Sequence, residues 1–312
     1  MTSHQRIDTH LHVVPPAYAA WLASRGINAG GRAIPEWTVP TALELMDGAS
    51  IATGILSVST PGAHLGDDAE ARDKAREVNE FAANVVRGAP DRFGFFATLT
   101  LPDVDGAIAE ARHAFDVLGA DGVVLLANVR GTYLGDPAWE PLMAELNARR
   151  AVVFIHPSSL PCPPVPGIAP FVADFLLDTT RAAINLARVG TFERYPDLKM
   201  ILSHAGGFVP FAAERMARAC ADDGEDMAQG RARLKRFYYD LALSSSPYAL
   251  PSLLAFAEPT HITFGSDWPF APKERSWHFA RLLDEFALTP EQRHAIDRGN
   301  AERLFPRLRQ AG

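Results

Sequence analysis

The 312-residue sequence is poor in cysteine and lysine and has no long apolar run. Its two cysteines, Cys162 and Cys220, match no metal-ligand spacing and are too few for a disulfide framework, so we expect a reducing, cytoplasmic setting. No stretch of about 18 apolar residues occurs, so no transmembrane helix is predicted. Four lysines, scattered arginines and a net charge of −7 argue against a nucleic acid or an anionic membrane as the main partner.

Short, apolar, β-branched runs alternate along the chain with amphipathic stretches. Eight runs are predicted to be strands: Ile7–His12, Ala52–Val58, Phe93–Leu99, Gly122–Ala127, Ala151–His156, Met200–His204, Phe237–Leu243 and His261–Gly265. Eight stretches are predicted to be helices: Asp67–Arg87, Val104–Leu118, Ala138–Arg149, Phe171–Tyr195, Val209–Cys220, Tyr248–Phe256, Ser276–Phe286 and Pro290–Phe305. The pattern favours an α/β fold, a single-domain (β/α)8 TIM barrel over residues 1–312. The alternative, a doubly wound open sheet, lacks a glycine-rich phosphate loop after its first strand.

Two long connections are predicted after strand ends, at Val13–Pro40 and Ser158–Pro170. In a barrel they would lie over the carboxyl-terminal face, where long ordered loops commonly shape a substrate site. Within the first connection, Pro35-Glu36-Trp37 is predicted to close the mouth.

Unusual polar residues stand at the ends of four predicted strands: Asp8, His10 and His12, then His156, then His204, then Asp267. In a barrel these ends converge on one mouth. Imidazole and carboxylate together suit a divalent metal of the zinc, iron, manganese or cobalt type. A lone histidine in a strand is more often a core or surface residue than a ligand, and Asp8 could orient a ligand instead of being one. The joint placement favours a catalytic metal site.

Four motifs together resemble the amidohydrolase superfamily: Asp8–His12, Phe154–Pro157, Leu202–Gly207 and Phe264–Phe270. They are most similar to the branch containing the aminocarboxymuconate-semialdehyde, γ-resorcylate and 5-carboxyvanillate decarboxylases. The resemblance extends over nearly the whole chain. Two further segments, Leu125–Pro137 and Phe175–Arg181, are similar to the 6-methylsalicylate decarboxylases.

The resemblance implies a (β/α)8 barrel with one divalent metal ion, zinc or manganese. It implies His10, His12, His156 and Asp267 as ligands, with His204 beside the metal as an acid or base. Superfamily members with two metals hold them through a carboxylated lysine at the end of the fourth strand. This chain has Asn128 there, which supports a single metal. The resemblance also suggests a homodimer.

The activity that the resemblance implies is metal-dependent, non-oxidative decarboxylation of a small aromatic acid of the 2-hydroxybenzoate type. Protonation of the ring before CO2 leaves would need a cation that holds the phenolate and carboxylate oxygens, and an acid at the ring carbon. His204 and Asp267 are both candidates for that acid. Two other hypotheses remain: metal-dependent hydrolysis, for instance of a lactone, and a barrel that merely binds a metal or ligand.

Several residues after strand ends are predicted to contact the substrate. Aromatic walls are predicted at Tyr133, Trp268 and Phe270, and polar anchors at Asn128, Arg130 and Arg181. Asp8 is predicted to support His10 and His12 from behind rather than to bind the metal.

Overall fold

The computed structural model describes residues 5–222, 224 and 226–309. Eight parallel strands pair side by side in chain order, and a two-stranded antiparallel hairpin, Asn128–Val129 with Thr132–Tyr133, follows the fourth of them. The strands are β1 (Arg6–His12), β2 (Ile51–Ser57), β3 (Phe93–Thr98), β4 (Gly122–Leu126), β5 (Asn128–Val129), β6 (Thr132–Tyr133), β7 (Val152–His156), β8 (Lys199–Leu202), β9 (Tyr238–Asp240) and β10 (Ile262–Thr263).

The first and last strands close the sheet into a barrel. The Thr9 amide donates a hydrogen bond to the Phe264 carbonyl at 3.0 Å, and the His12 amide donates to the Trp268 carbonyl at 2.7 Å. Parallel bridges join the same segments. The predicted (β/α)8 barrel is confirmed, and the open-sheet alternative is wrong because an open sheet would leave β1 without this partner.

The helices surround the barrel. They are α1 (Pro16–Ala23), α2 (Val39–Gly48), α3 (Asp68–Gly88), α4 (Val104–His113), α5 (Glu140–Ala148), α6 (Pro170–Arg188), α7 (Thr191–Arg194), α8 (Val209–Ala217), α9 (Met227–Lys235), α10 (Leu250–Phe256), α11 (Lys273–Glu285), α12 (Pro290–His294) and α13 (Asn300–Leu304). In the described part of the chain, none of them is long and apolar enough to cross a membrane.

The first predicted connection, Val13–Pro40, is not a continuous loop, because α1 lies within it and α2 begins at Val39. Proline stands in the first turn of each helix, where its missing N–H costs nothing. Thr38 caps α2 in a reciprocal capping box with Thr41. The proline and glycine content that suggested a loop therefore includes helix start signals.

Other predicted helices and strands also need correction. The predicted helix Phe171–Tyr195 divides into α6 and α7, because Gly190 adopts a left-handed φ of 67° between them. The polar helix α9 was not predicted. The last barrel strands, β9 and β10, are shorter than predicted.

Apolar side chains fill the barrel interior below its carboxyl-terminal end. Ile7, Phe96 and Phe154 belong to a buried cluster that Leu304 and Phe305 join from the end of the chain. A larger cluster packs between the strands and the surrounding helices. The barrel is thus a solid core rather than a pore, and its chemistry is confined to the carboxyl-terminal end.

Candidate active site

Four side chains from three strand ends converge at the carboxyl-terminal end of the barrel. His10 and His12 lie on β1, His156 ends β7, and Asp267 follows β10. Each offers one ligand atom, and these atoms all lie within 4.8 Å of one another. Asp267 Oδ1 lies 3.2 Å from His10 Nε2 and 3.3 Å from His12 Nε2. Three imidazoles and one carboxylate fit one divalent ion of the zinc or manganese type.

The protein holds the second ring nitrogen of each of the three histidines. His10 Nδ1 lies 2.7 Å from Asp240 Oδ2, His12 Nδ1 lies 3.0 Å from Ser57 Oγ, and His156 Nδ1 lies 2.8 Å from the Pro157 carbonyl oxygen. Such contacts fix the tautomer and orientation of metal-binding histidines. They leave all three Nε2 atoms directed at the common centre.

Electrostatics favour the ligand forms of His12, His156 and Asp267. Burial lowers the pKa of His12 and holds the pKa of His156 well below its usual value. Burial would raise the pKa of Asp267, but hydrogen bonds from His10, His12 and His204 bring it well below the usual value. Burial would also lower the pKa of His10, yet Asp240 and Asp267 raise it to about 10. The two carboxylates that favour a proton on His10 favour a bound cation in the same way.

His204 stands beside this cluster on a tight left-handed turn after β8. Its Nε2 lies 3.6 Å from Asp267 Oδ2, and its buried Nδ1 has no hydrogen-bond partner among the described residues. The backbone has φ 54° at His204 and 64° at Gly207. A Cβ at Gly207 would lie 2.1 Å from the Leu176 carbonyl oxygen, so this turn requires glycine. The turn explains why β8 ends at Leu202 rather than at His204 as predicted.

Asp240 is a site residue that was not predicted. Besides holding His10, its carboxylate accepts the backbone N–H of His204 at 3.0 Å and that of Ala242 at 2.9 Å. It therefore couples two functional histidines. The signal available in the sequence was a carboxylate inside the otherwise apolar run Phe237–Leu243.

Asp8 acts on the backbone rather than on an imidazole. Its Oδ1 accepts the N–H of His10 at 2.9 Å and that of Ser266 at 3.1 Å, and burial raises its pKa to about 6. The register of β1 shifts between Asp8 and Leu11, so Asp8, His10 and His12 do not simply alternate on one side. Asp8 thereby joins β1 to the segment that carries Asp267.

A cavity of about 530 Å³ leads from the cluster to the surface, with His156, His204 and Asp267 in its wall. Aromatic rings stand next to the histidines: Phe270 is 5.3 Å from the His12 ring, and Phe175 is 6.1 Å from the His156 ring. Elsewhere most of the wall is apolar. The lining includes Phe171, Val172, Leu176, Phe208, Pro210, Phe211, Leu243, Tyr248, Ala249 and Phe279.

The six residues predicted to contact the substrate do not all lie in the cavity lining. Phe270 lines the cavity, whereas five others lie outside its lining: Asn128, Arg130, Tyr133, Arg181 and Trp268. The arginines in the lining are Arg32 and Arg275, which were not predicted.

The residues outside the lining have other contacts. The Asn128 amide donates to Asp178 at 2.8 Å, and an Arg181 N–H donates to the Tyr133 hydroxyl at 3.4 Å. Trp268 is buried. Substrate contact by these residues stays a prediction.

The predicted lid segment does not cover the mouth. Trp37 is buried, and its ring packs 5.9 Å from the Phe81 ring of α3. From the same connection, Ala29 and Arg32 reach the cavity wall instead.

Comparison with known proteins identifies the family of the chain. The family model described as Amidohydrolase matches residues 7–307. A 6-methylsalicylic acid decarboxylase of Penicillium expansum is 36% identical, over 97% of this chain and 97% of its own. A solved amidohydrolase II structure is 32% identical with a TM-score of 0.90, over 97% of this chain and 100% of the other.

A dihydroxybenzoic acid decarboxylase of Polaromonas sp., solved with bound manganese and the inhibitor 2-nitroresorcinol, shares the fold. Its TM-score is 0.78 at 23% identity, over 98% of each chain. The family match covers nearly the whole barrel, together with the strand ends that carry the converging histidines and Asp267. The chain belongs to the amidohydrolase family.

Proposed function

We propose that this protein is a metal-dependent, non-oxidative decarboxylase of a small 2-hydroxybenzoate-type acid, of which 6-methylsalicylate is an example. The observation that carries the proposal is the convergence of His10, His12, His156 and Asp267 at the inner end of an apolar cavity, with His204 beside them. The similarity to a 6-methylsalicylic acid decarboxylase supports the same chemistry.

In this proposal His10, His12, His156 and Asp267 hold the metal. A divalent ion there supplies the positive charge that stabilises the phenolate and carboxylate oxygens of the acid. The imidazoles are held in place by Asp240, Ser57 and Pro157, so the site is organised before substrate arrives.

His204 is the proposed proton donor. It lines the cavity and has an Nδ1 without a partner among the described residues, whereas Asp267 faces His10 and His12 with one oxygen and His204 with the other. The imidazolium of His204 adds its proton to the ring carbon that bears the carboxylate. The bond to the carboxylate then breaks, its electron pair restores the aromatic ring, and CO2 leaves. Solvent returns a proton to His204.

The apolar wall holds the ring. Phe175 and Phe270 stand beside the histidines, and Arg32 is fixed in the wall by donating to the Phe270 carbonyl at 2.8 Å and by lying over the Phe171 ring at 4.3 Å. We propose Arg32 and Arg275 as the cations that attract the anionic acid to the mouth. Of the six residues predicted to contact substrate, Phe270 is the one we propose to touch the ring.

The test is direct. Protein loaded with manganese or zinc is given 2-hydroxybenzoate and 6-methylsalicylate, and CO2 and the phenol are measured. We expect both products in equal amounts. Opening of a lactone with no CO2 from either acid would overturn the proposal in favour of a hydrolase, and no metal-dependent turnover of any substrate would favour a binding protein.

We also propose a homodimer in the cytoplasm. The dimer follows the resemblance in sequence, and the compartment follows the low cysteine content. Light scattering on the purified protein measures its mass, and a mass of one chain would reject the dimer.

A further inference from the structure

The cavity is much larger than one substituted benzene ring. Its volume is about 530 Å³, whereas an engineered protein cavity of roughly 150 Å³ binds benzene. Pockets of about 300–1,000 Å³ are typical for drug-sized ligands. A single-ring acid at the inner end would leave most of this volume unfilled.

The inner end of the cavity already has its proposed occupant. His156, His204 and Asp267 supply the polar wall there, and Phe175 and Phe270 stand next to the histidine rings. The hydroxyl and carboxylate of an aromatic acid belong at this end. The opposite edge of its ring then points towards the mouth.

The outer part of the cavity is built from apolar side chains of three segments. The start of α6 contributes Phe171, Val172 and Leu176, α8 and the residue before it contribute Phe208, Pro210 and Phe211, and the approach to α10 contributes Leu243, Tyr248 and Ala249. At the rim, Phe211 is 85% exposed and Tyr248 is 90% exposed. Exposed apolar side chains that line a cavity mark a surface that binds an apolar group.

We infer that the outer part of the cavity is an apolar subsite for a substituent of the substrate. The preferred substrates are 2-hydroxybenzoates that carry an alkyl chain of several carbons, or a second ring, on the edge away from the hydroxyl and carboxylate. This inference rests on the proposed decarboxylase function and names the substrate class within it.

A chain-length series tests the subsite. We would measure kcat/KM for 5-alkyl and 4-alkyl 2-hydroxybenzoates from methyl to pentyl. We would also measure, by calorimetry, the Kd of the matching 4-alkyl and 3-alkylphenols, which have no carboxylate to lose. In at least one series we expect kcat/KM to rise, and Kd to fall, by roughly fourfold per methylene. Flat or worsening values in both series would overturn the inference.

A matched pair of variants locates the effect on α10. Ser252 lines the cavity, whereas Ala255 on the same helix is exposed and outside the lining. We expect Ser252→Trp to abolish the gain from methyl to pentyl while the methyl acid is still turned over, and Ala255→Trp to keep the gain. An undiminished gain in a folded Ser252→Trp protein would contradict the proposed location.

The outcomes separate this inference from the proposed function. If no acid releases CO2, the function fails, and the phenol Kd series still decides whether the apolar subsite exists. If Phe211→Ala changes the mass of the protein in solution and leaves the chain-length gain intact, the rim serves a second copy of the chain and the inference is overturned.

Discussion

Arg6 lies at one end of the barrel and Asp267 at the other, and both are charged groups shielded from solvent. Arg6 pairs with carboxylates, whereas Asp267 faces histidines. The Arg6 side chain is 1% exposed, donates to Asp297 at 3.0 Å and to the Ala49 carbonyl at 2.9 Å, and pairs with Asp284. Its charge is neutralised within the protein. Such a cluster holds the β1 end to the helices that follow β10.

Asp267 faces three histidines, and two of them have their other ring nitrogens held elsewhere. The Asp267 side chain is 13% exposed and lines the cavity. Burial of charge alone therefore does not mark a functional site. Donors that converge on one point, with their second atoms already satisfied, do mark one.

Substitution of Asp267 is expected to have the largest effect on activity. Asp267→Ala removes one proposed ligand and the carboxylate that lies against His10 and His12. We expect metal-dependent CO2 release to fall below detection while circular dichroism reports an intact fold. Asp284→Ala, at the other end, is the matched control and keeps kcat. Full activity in metal-depleted Asp267→Ala protein would show that the site is assigned wrongly.

His204→Asn separates proton transfer from metal binding. Because His204 is proposed to donate the proton, we expect kcat to fall about 10²- to 10⁴-fold. Bound metal, measured by atomic absorption, should be unchanged. An enzyme with normal kcat would argue against His204 as the acid, and lost metal would make it a ligand.

Asp240→Asn tests the support behind His10. The amide can still accept from the His204 and Ala242 N–H groups, but its NH2 would face His10 Nδ1 and favour the tautomer with a proton on Nε2. We expect metal affinity to fall about 10- to 100-fold, with activity largely recovered in excess metal. An unchanged metal Kd would reduce Asp240 to a packing role.

Arg6→Met breaks the ion-pair cluster at the opposite end. The substitution removes the buried Arg6–Asp297 pair and the hydrogen bond to the Ala49 carbonyl, and loss of one member of a buried pair costs about 3–5 kcal/mol. We expect that loss in the free energy of unfolding, measured with urea, while metal Kd and kcat of the folded protein stay unchanged. A large change in metal Kd would mean that the two ends are not independent.

The sequence was informative where local patterns decide the structure. Alternation of apolar runs and amphipathic stretches predicted the barrel, and the position of histidines after those runs predicted the converging end. Proline was misread between Val13 and Pro40, because the same residue begins helices and interrupts them.

The rest of the site depends on tertiary placement. Asp240 gains its role from the approach of His10, which is 230 residues away in the chain. Arg32 reaches the cavity through contacts with Phe270 and Phe171 that no spacing in the sequence indicates. Conversely, Arg130 comes directly after β5 and Arg181 lies within α6, but both are outside the cavity lining.

We propose that one divalent ion at the converging histidines and Asp267 is required for decarboxylation. The most direct test is to strip the protein of metal, add manganese or zinc in known amounts, and measure CO2 release from 6-methylsalicylate after each addition. We expect no release without metal and a linear rise that levels off at one ion per chain. Undiminished CO2 release from the stripped protein would contradict it.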